Sequence, residues 1–342
     1  MKAVKFLGAE KVVVENVPDP EAGFREVIVR MKASAICRSD MALYHGRSVF
    51  EKSSDVNIIP GHEACGVVEK LGEGISEDEI KIGDRVAIYL GIGCGHCVYC
   101  RQGWNILCPT WKCLGFDIDG GHAELIKVPV QNCLLMPDQL SFVEGALSTD
   151  KFGGLYNACK SLCVSGKDTV AIFGMGPMGQ MGIAAGKALG ATIIGVDILD
   201  SRLELAKKAG AEYTINSKTK NAVEEIRKIT KGVGADKAID CSGNPKAQND
   251  ALDCVKKMGS AAFVGESKAT QFNPSEQWLR KKLMVIGSWY FPTWEYPEIA
   301  DLIVSKKLHL DKFVTNIFSL EDAPKAYELF DKYETGIVVF TA

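Results

Sequence analysis

The sequence predicts an α/β protein with two domains, one of which contains a doubly wound parallel sheet. The chain has 342 residues, of which 46% are hydrophobic and 24% charged, so it is long enough to bury two separate cores. From residue 168 onward, short apolar runs alternate with helical patterns, which is typical of parallel strands connected by helices. A glycine-rich turn joins the first of these runs to a helical pattern.

Six short apolar or β-branched runs predict the strands of the parallel sheet. In chain order they are DTVAIF, ATIIGVD, YTIN, KAIDC, AAFVG and MVIGS. After the third run, Val223, Ile226 and Ile229 recur at helical spacing and form one apolar face. Six strands make a full dinucleotide-binding sheet, so this part of the chain is predicted to bind a dinucleotide.

The charge balance argues against nucleic acid and membrane partners. The 40 basic residues are mixed with 43 acidic ones and leave a net charge of −3, whereas both partners normally require clustered lysine and arginine. The amino-terminal MKAVKF leads directly into a strand pattern and lacks the apolar segment of a secretory signal. The longest uncharged run, 169–186, contains five glycines and a proline, so no bilayer helix is expected. We therefore expect a cytoplasmic protein.

Four of the twelve cysteines lie within fifteen positions and predict a closed metal site. They are Cys94, Cys97, Cys100 and Cys108, in a segment rich in glycine. Thiolates separated by two residues can converge on one tetrahedral zinc ion, and four sulfur ligands leave no open coordination position, so this zinc is expected to be structural. An iron–sulfur cluster would also use four thiolates, but no proline follows Cys100, the last cysteine of the closely spaced run, which disfavours such a cluster. Burial alone would not explain the regular spacing.

A second group of metal-ligating residue types is divided between two segments. Cys37 follows an apolar, strand-like run in ASAICRSD, and His62 and Glu63 lie in IIPGHEACGVV. A single cysteine or histidine usually belongs to the core or the surface, so neither segment is strong evidence by itself. The two segments together make a candidate site.

The first strand of the predicted parallel sheet ends in GMGPMG, which is typical of a phosphate-binding turn. Gly174, Gly176 and Gly179 form the pattern G-x-G-x-x-G, with Pro177 and Met178 between the last two glycines. The first glycine permits a tight turn, the second lets the pyrophosphate approach the backbone, and the third lets the helix pack closely. The start of the helix adds unpaired N–H groups that bind phosphate.

Asp197 and Arg202 bear on which dinucleotide binds. Asp197 ends the second strand, twenty-three residues after the first glycine, where a carboxylate binds the ribose hydroxyls and repels a 2′-phosphate. NAD is therefore favoured over NADP. Arg202 keeps NADP open as a second candidate, because an arginine nearby can accommodate that phosphate. The ends of later strands, at Cys241, Val264 and Ser288, are expected near the nicotinamide.

With these motifs in this order, the chain resembles the zinc-containing medium-chain dehydrogenase/reductase superfamily, the alcohol and polyol dehydrogenases. The motifs are ENVPDP, CRSD, GHEACGVV, GDRV, the four-cysteine segment and the glycine fingerprint, and they extend over essentially the whole chain. The resemblance implies a GroES-like, β-rich catalytic domain built from residues 1–151 and 290–342, with a Rossmann NAD-binding domain at residues 152–289. It also implies that zinc and cofactor meet between the domains.

The resemblance further implies a catalytic zinc with one open coordination position. Cys37 and His62 are its implied ligands, and Glu63 is a direct or swinging ligand. Asp150, in EGALSTDKFGG, takes the place of the third ligand as in similar secondary-alcohol dehydrogenases, although aspartate is also favoured as a helix N-cap. Ser39 matches the family's hydroxyl that hydrogen-bonds the substrate oxygen and passes on its proton, although it could also be an ordinary turn serine.

The predicted function is a zinc-dependent dehydrogenase that transfers a hydride from a secondary alcohol, a polyol or hydroxylated small metabolite, to NAD and gives a ketone. Two zinc ions per subunit and a homo-oligomer, a dimer or tetramer, are implied by the family. Arg47 and Lys151 leave an anionic substrate open, such as a sugar phosphate or L-threonine. A reductase without catalytic zinc and a nucleotide-binding protein without turnover are also open as functions, because a fold does not determine a reaction.

The route of the substrate proton is a separate question. Ala42 stands where many relatives carry a relay histidine, and His45 is the nearest substitute, although it could equally be a surface residue.

Overall fold

The computed structural model describes residues 1–8, 10–47, 58–333 and 335–342. The chain divides into two compact units. The first consists of Met1–Asp150 and Phe291–Ala342, and the second of Lys151–Tyr290.

The strands are short in both units, and most have five residues or fewer. They are β1 (Lys2–Phe6), β2 (Val12–Asn16), β3 (Glu26–Ala35), β4 (Glu63–Leu71), β5 (Arg85–Ile88), β6 (Gly91–Ile92), β7 (Lys112–Cys113), β8 (Leu125–Pro129), β9 (Cys133–Leu135), β10 (Thr169–Phe173), β11 (Thr192–Asp197), β12 (Tyr213–Asn216), β13 (Ala235–Asp240), β14 (Val255–Phe263), β15 (Met284–Gly287), β16 (Val314–Phe318) and β17 (Ile337–Thr341).

Most of the helices are in the second unit or near the carboxyl terminus. They are α1 (Asp40–Tyr44), α2 (Phe142–Leu147), α3 (Gly154–Ser161), α4 (Pro177–Ala188), α5 (Asp200–Lys208), α6 (Ala222–Ile229), α7 (Pro245–Cys254), α8 (Tyr296–Ser305) and α9 (Ala323–Asp331). A π-helical segment, Ser148–Gly153, follows α2 directly. None of the described helices is both long and apolar enough to cross a membrane.

The first unit is built around a mostly antiparallel sheet. Its strand order is β16-β17-β3-β4-β5-β9, and β8 also pairs with β3. The long strand β3 therefore has antiparallel partners on both sides and over most of its length. Val27, Ile28 and Val29 are consecutive and fully buried, so both faces of this part of the strand are covered. One of these faces forms an apolar core with the neighbouring strands. That core includes Val27, Val29, Met31, Val68, Val86, Ile88, Ile126 and Val128.

The four-cysteine segment forms a separate lobe of the first unit. Strands β6 and β7 pair antiparallel at its base, with Gly91 opposite Cys113 and Ile92 opposite Lys112. Between these strands the chain forms only two short 3₁₀ turns, Cys100–Gln102 and Asn105–Leu107. A loop with so little regular structure is expected to depend on a bound ion for its order.

The second unit contains the six-stranded parallel sheet that the sequence predicts. Its strand order is β12-β11-β10-β13-β14-β15, and every pair is parallel. The chain runs outward from β10 to β12, then returns to β13 beside β10, so the order reverses between β10 and β13. Ligands bind at the carboxyl ends of the strands where the order reverses in this way. The predicted α/β class and the doubly wound sheet are confirmed.

Candidate active site

Four ligating side chains converge in the first unit. The ligand atoms of Cys37, His62, Glu63 and Asp150 all lie within 4.8 Å of one another. Asp150 Oδ2 is 3.7 Å from Cys37 Sγ and 3.5 Å from His62 Nε2. Tetrahedral zinc bonds of about 2.0–2.3 Å place pairs of such atoms about 3.3–3.8 Å apart. These separations therefore fit a zinc ion.

Strand register brings two of the ligating segments together. Cys37 follows the end of β3 by two residues, and Glu63 opens β4. The two strands pair with Ala35 opposite Glu63. The π-helical segment after α2 supplies Asp150. Because the N-cap of α3 is Gly153, Asp150 does not cap that helix, and the interpretation of Asp150 as an N-cap is wrong.

The four cysteines of the lobe also converge on one point. Cys94, Cys97, Cys100 and Cys108 offer sulfur atoms within 4.8 Å of one another. The backbone N–H of Cys100 donates to Cys97 Sγ at 3.5 Å, and this bond lowers the pKa of the Cys97 thiol. Burial raises the pKa of Cys108, but hydrogen bonds from Thr110 and from the Cys94 N–H outweigh burial and bring it to about 6. The lobe thus favours the thiolate form at these two residues.

The glycine turn has the geometry that phosphate binding requires. Gly174 adopts φ +89°, a left-handed conformation that side chains disfavour. A Cβ atom on Gly176 would meet nothing within 4 Å, so the space beside its backbone is open. A Cβ on Gly179 would lie 1.9 Å from Gly174 O, so only glycine lets the helix pack here. Pro177 opens α4 and Met178 follows it, both half-buried.

The remaining predicted cofactor residues lie just beyond the carboxyl ends of β13, β14 and β15. The backbone N–H groups of Cys241, Val264 and Ser288 donate to the adjacent strand at 2.8, 2.9 and 3.0 Å, respectively. Cys241 and Val264 are half-buried, and Ser288 is buried. These residues therefore lie at the same edge of the sheet as the glycine turn.

Two segments of the chain match known protein families. Residues 23–138 match the alcohol dehydrogenase GroES-like domain, and residues 177–305 match the zinc-binding dehydrogenase domain. Sorbitol dehydrogenase of Bacillus subtilis is 34% identical over 96% of this chain and 93% of its own length. L-threonine 3-dehydrogenase of Pyrococcus horikoshii is 35% identical over 99% of this chain and 97% of its own length. The chain belongs to the zinc-containing medium-chain dehydrogenase family.

Solved structures of the family share this fold over the whole chain. The alcohol dehydrogenase TADH from Thermus sp. ATN1 is 31% identical with a TM-score of 0.91, and 100% of both chains is covered. An Escherichia coli CFT073 alcohol dehydrogenase complexed with NADH is 26% identical with a TM-score of 0.89, covering 100% of this chain and 99% of that one. A Sinorhizobium meliloti dehydrogenase bound to NADP is 27% identical with a TM-score of 0.90, with the same coverage.

This medium-chain dehydrogenase is therefore a zinc-dependent oxidoreductase that acts on the CH–OH group of a small molecule with a nicotinamide cofactor. The predicted family, reaction class and GroES-like domain are confirmed. Among the similar structures, one holds NADH and another holds NADP.

Asp40 is a residue of this site that the sequence did not reveal. Its side chain is fully buried, and Asp40 Oδ1 lies 3.1 Å from His62 Nδ1. Asp40 Oδ2 accepts a hydrogen bond from the Cys37 N–H at 2.8 Å. A carboxylate behind a ligating histidine fixes the ring orientation and leaves the other nitrogen for the metal. The only sequence signal was its position three residues after Cys37.

The electrostatics of the site determine its protonation without metal. Burial raises the pKa of the Cys37 thiol. Burial lowers the pKa of His62, but the negative charge of Asp40 and the hydrogen bonds with Asp150 and Asp40 outweigh it, and the pKa lies well above its ordinary value. Burial raises the pKa of Asp40, but the contact with His62 more than compensates, and the carboxyl is more acidic than usual. A metal that binds here must therefore displace protons from Cys37 and His62.

The two relay candidates have different surroundings. Ser39 Oγ lies 3.4 Å from His62 Nε2, so its hydroxyl faces the nitrogen available to a metal. His45 Nδ1 lies 3.0 Å from Glu10 Oε1, and His45 Nε2 lies 2.9 Å from Asp331 Oδ1. Both ring nitrogens of His45 are thus engaged by carboxylates. Of the two, only Ser39 has its side chain beside the ligand cluster.

Asp197, which is predicted to bind the ribose hydroxyls, also forms hydrogen bonds with the backbone of its own unit. Asp197 Oδ2 accepts from the Met175 N–H at 2.7 Å, and Asp197 Oδ1 accepts from the Ile198 N–H at 2.7 Å. Its carboxylate also lies 3.6 Å from an Arg202 nitrogen. The Leu199 N–H also donates to Asp197 Oδ1, at 3.0 Å. Three of the roughly four acceptor positions of the carboxylate are thus occupied, which leaves one position on Oδ2, beside Arg202, for a ribose hydroxyl.

Proposed function

We propose that this protein oxidises a secondary alcohol, a polyol or a hydroxylated small metabolite, to a ketone with NAD and a catalytic zinc. The observation that carries the proposal is the buried cluster of Cys37, His62, Glu63 and Asp150, whose ligand atoms lie within 4.8 Å of one another. One thiolate, one imidazole and one carboxylate make a three-ligand zinc site, which keeps a coordination position for substrate.

Each residue of the cluster has a proposed task. Cys37, His62 and Asp150 would hold the zinc, with Glu63 entering and leaving the coordination shell. When bound, the metal supplies Lewis-acid stabilisation of an alcohol oxygen. Ser39 would accept the hydroxyl proton of the substrate and pass its own hydroxyl proton on to water, and the substrate carbon would lose its hydride to the nicotinamide. In total the alcohol gives a ketone, NADH and one proton.

The glycine turn would bind the cofactor pyrophosphate. Its support is the open space beside Gly176 and the unpaired N–H groups at the start of α4, where a helix carries about half a positive charge. Asp197 would accept hydrogen bonds from the ribose hydroxyls, which favours NAD. Arg202 would partly compensate the carboxylate charge, so NADP is the second candidate.

The four-cysteine lobe would hold a second, structural zinc ion, giving two per subunit. Four sulfur ligands leave no position for substrate. A Cβ on Gly93 would lie 2.4 Å from Cys100 Sγ, so the absence of a side chain there makes room for the Cys100 sulfur. Since this segment has little regular structure, we propose that the ion supplies much of its folding energy.

The similar proteins support a secondary alcohol as substrate. Sorbitol and L-threonine, which give two of them their names, both carry secondary hydroxyl groups. An anionic substrate such as a sugar phosphate or L-threonine is the second candidate.

A homo-oligomer, a dimer or tetramer, is proposed from the family. A cytoplasmic location is proposed because all twelve cysteines are free.

The test is a spectrophotometric screen of NAD and NADP reduction over polyols, secondary alcohols, sugar phosphates and hydroxy amino acids. We expect turnover of at least one class with NAD, and zinc analysis should give two ions per chain. Cys37→Ala should lower turnover by about 10³-fold or more, because the Lewis acid supplies several kcal/mol. Cys133→Ala, which removes a thiol on β9, should retain activity. A Cys37→Ala variant as active as the wild type would overturn the proposal.

A further inference from the structure

His122 is a fully buried histidine that lies outside the ligand cluster. It belongs to the segment 120–122, which runs alongside the segment 59–61 that leads into His62. The N–H groups of residues 120, 121 and 122 donate to carbonyls of residues 59, 61 and 60 at 2.7, 2.7 and 2.9 Å, respectively. The backbone of one segment is therefore tied to the backbone of the other.

The imidazole of His122 packs directly on Gly61, the residue before His62. A Cβ on Gly61 would lie 2.3 Å from the His122 ring, and Gly61 adopts φ +97°. Only glycine tolerates both this conformation and this close approach. The ring thus fixes the path of the backbone into His62.

The same ring reaches the strand that leads into Cys37. His122 Nε2 lies 3.3 Å from Ala35 O, two residues before Cys37. A carbonyl oxygen can only accept, so Nε2 carries the proton and donates to it. His122 Nδ1 then accepts from the Tyr327 hydroxyl at 2.9 Å. Tyr327 is also buried and lies on α9, so the ring is held from a third element.

We infer that His122 is a positioning residue for the catalytic zinc site. By joining Ala35 to Gly61, it holds the backbone segments of Cys37 and His62 at the separation that a shared zinc ion requires. The inference rests on the proposed function, because it presupposes that these two residues bind zinc. Ligand groups held in place before the ion arrives lose less freedom on binding, which raises affinity.

The test compares three variants of the intact protein at free zinc concentrations set by a chelator. His122→Phe keeps a ring against Gly61 and removes both hydrogen bonds. His122→Gln keeps an amide N–H that can reach Ala35 O, and Tyr327→Phe removes only the hydroxyl. We measure zinc affinity at each site and the absorption spectrum of the cobalt-substituted protein, whose bands report the ligand geometry.

We expect His122→Phe to lower the affinity of the catalytic site by about 10- to 100-fold, as substitutions behind metal ligands typically do. Its cobalt spectrum should change, while the four-cysteine site keeps its affinity. His122→Gln should recover part of the loss, and Tyr327→Phe should show a smaller loss. If His122→Phe does not fold, the zinc affinity of Tyr327→Phe tests the inference: a weaker catalytic site supports it, and an unchanged one overturns it.

The matched control is Asn132→Leu. Asn132 is buried in the same unit, and its amide donates to the carbonyls of Tyr89 and Gly91 at 2.7 and 2.9 Å. Loss of the Asn132 amide should lower the thermal stability of the protein without changing the zinc affinity of the catalytic site. The inference is overturned if His122→Phe binds the catalytic zinc as tightly as the wild type, or if Asn132→Leu weakens it equally. A wild-type protein that binds only one zinc per chain would instead refute the proposed function.

Discussion

The two ring nitrogens of His62 have different surroundings, one facing a buried carboxylate and the other facing the ligand cluster. Its Nδ1 faces the buried Asp40 at 3.1 Å, while its Nε2 faces Asp150 at 3.5 Å and Ser39 at 3.4 Å. The two nitrogens of an imidazole are distinct, and a partner on one defines what the other can do. Here the carboxylate of Asp40 occupies Nδ1, so Nε2 is the nitrogen that would bind a metal in the proposed site.

The two carboxylates of the cluster are expected to differ in importance. Asp150 Oδ2 lies close to both Cys37 Sγ and His62 Nε2, at 3.7 and 3.5 Å. We therefore expect Asp150→Asn to lower zinc occupancy of the catalytic site more than Glu63→Gln does, by about tenfold or more in affinity. Zinc content after dialysis against a chelator measures this, with the four-cysteine zinc as an internal control. Loss of zinc from Glu63→Gln alone would reverse the assignment.

Zinc binding at the catalytic site should depend steeply on pH. The pKa values of Cys37 and His62 are both raised in the folded protein, so both groups hold protons at neutral pH. Zinc must displace those protons, and its affinity should rise by about tenfold per pH unit for each one between pH 6 and 8. Titration of zinc into metal-free protein in weak buffer should release about two protons at this site. Affinity that does not vary with pH would contradict these protonation states.

At the scale of the element, two glycines of the glycine turn are expected to serve different purposes, one for ligand binding and the other for folding. Gly176 and Gly179 lie three residues apart in one turn, yet a Cβ would meet open space at the first and the Gly174 carbonyl oxygen at the second. One glycine therefore leaves room for a ligand, and the other leaves room for the protein itself.

Two alanine substitutions test that distinction. Gly176→Ala should keep the thermal stability of the protein within about 1 kcal/mol, because φ is −68° and no atom lies nearby. It should weaken NADH binding about tenfold or more, because the methyl group fills the space of the phosphate. Gly179→Ala should destabilise the second unit by about 1–3 kcal/mol through overpacking. Calorimetry and fluorescence titration of NADH measure both effects. Equal loss of stability in the two variants would be inconsistent with this geometry.

At the scale of the whole molecule, the sequence predicted contiguous features better than distant pairings. The strands of the parallel sheet and the GMGPMG turn were predictable because periodicity and glycine spacing are local properties. The contact between Asp40 and His62 was not, since it depends on Ala35 pairing with Glu63 across two strands. The π-helical segment that carries Asp150 also had no local signal. Asp150 itself was predicted as a zinc ligand from the family resemblance, with a helix N-cap as the alternative. His122 was missed for the same reason, because its partners are distant in sequence.

The proposed zinc and cofactor sites lie in different units, and this predicts separate responses to metal and cofactor. All the proposed zinc ligands lie in Met1–Asp150, whereas the glycine turn and Asp197 lie in Lys151–Tyr290. A ligand stabilises the structure that binds it, by about 2.7 kcal/mol at a concentration 100 times its Kd. Hydrogen exchange should therefore show that NADH slows exchange first around β10, β11 and α4. Zinc removal should speed exchange first in the four-cysteine lobe and around His62. If removing zinc loosened residues 169–197 as much as the lobe, the assignment of each ligand to its own unit would be wrong.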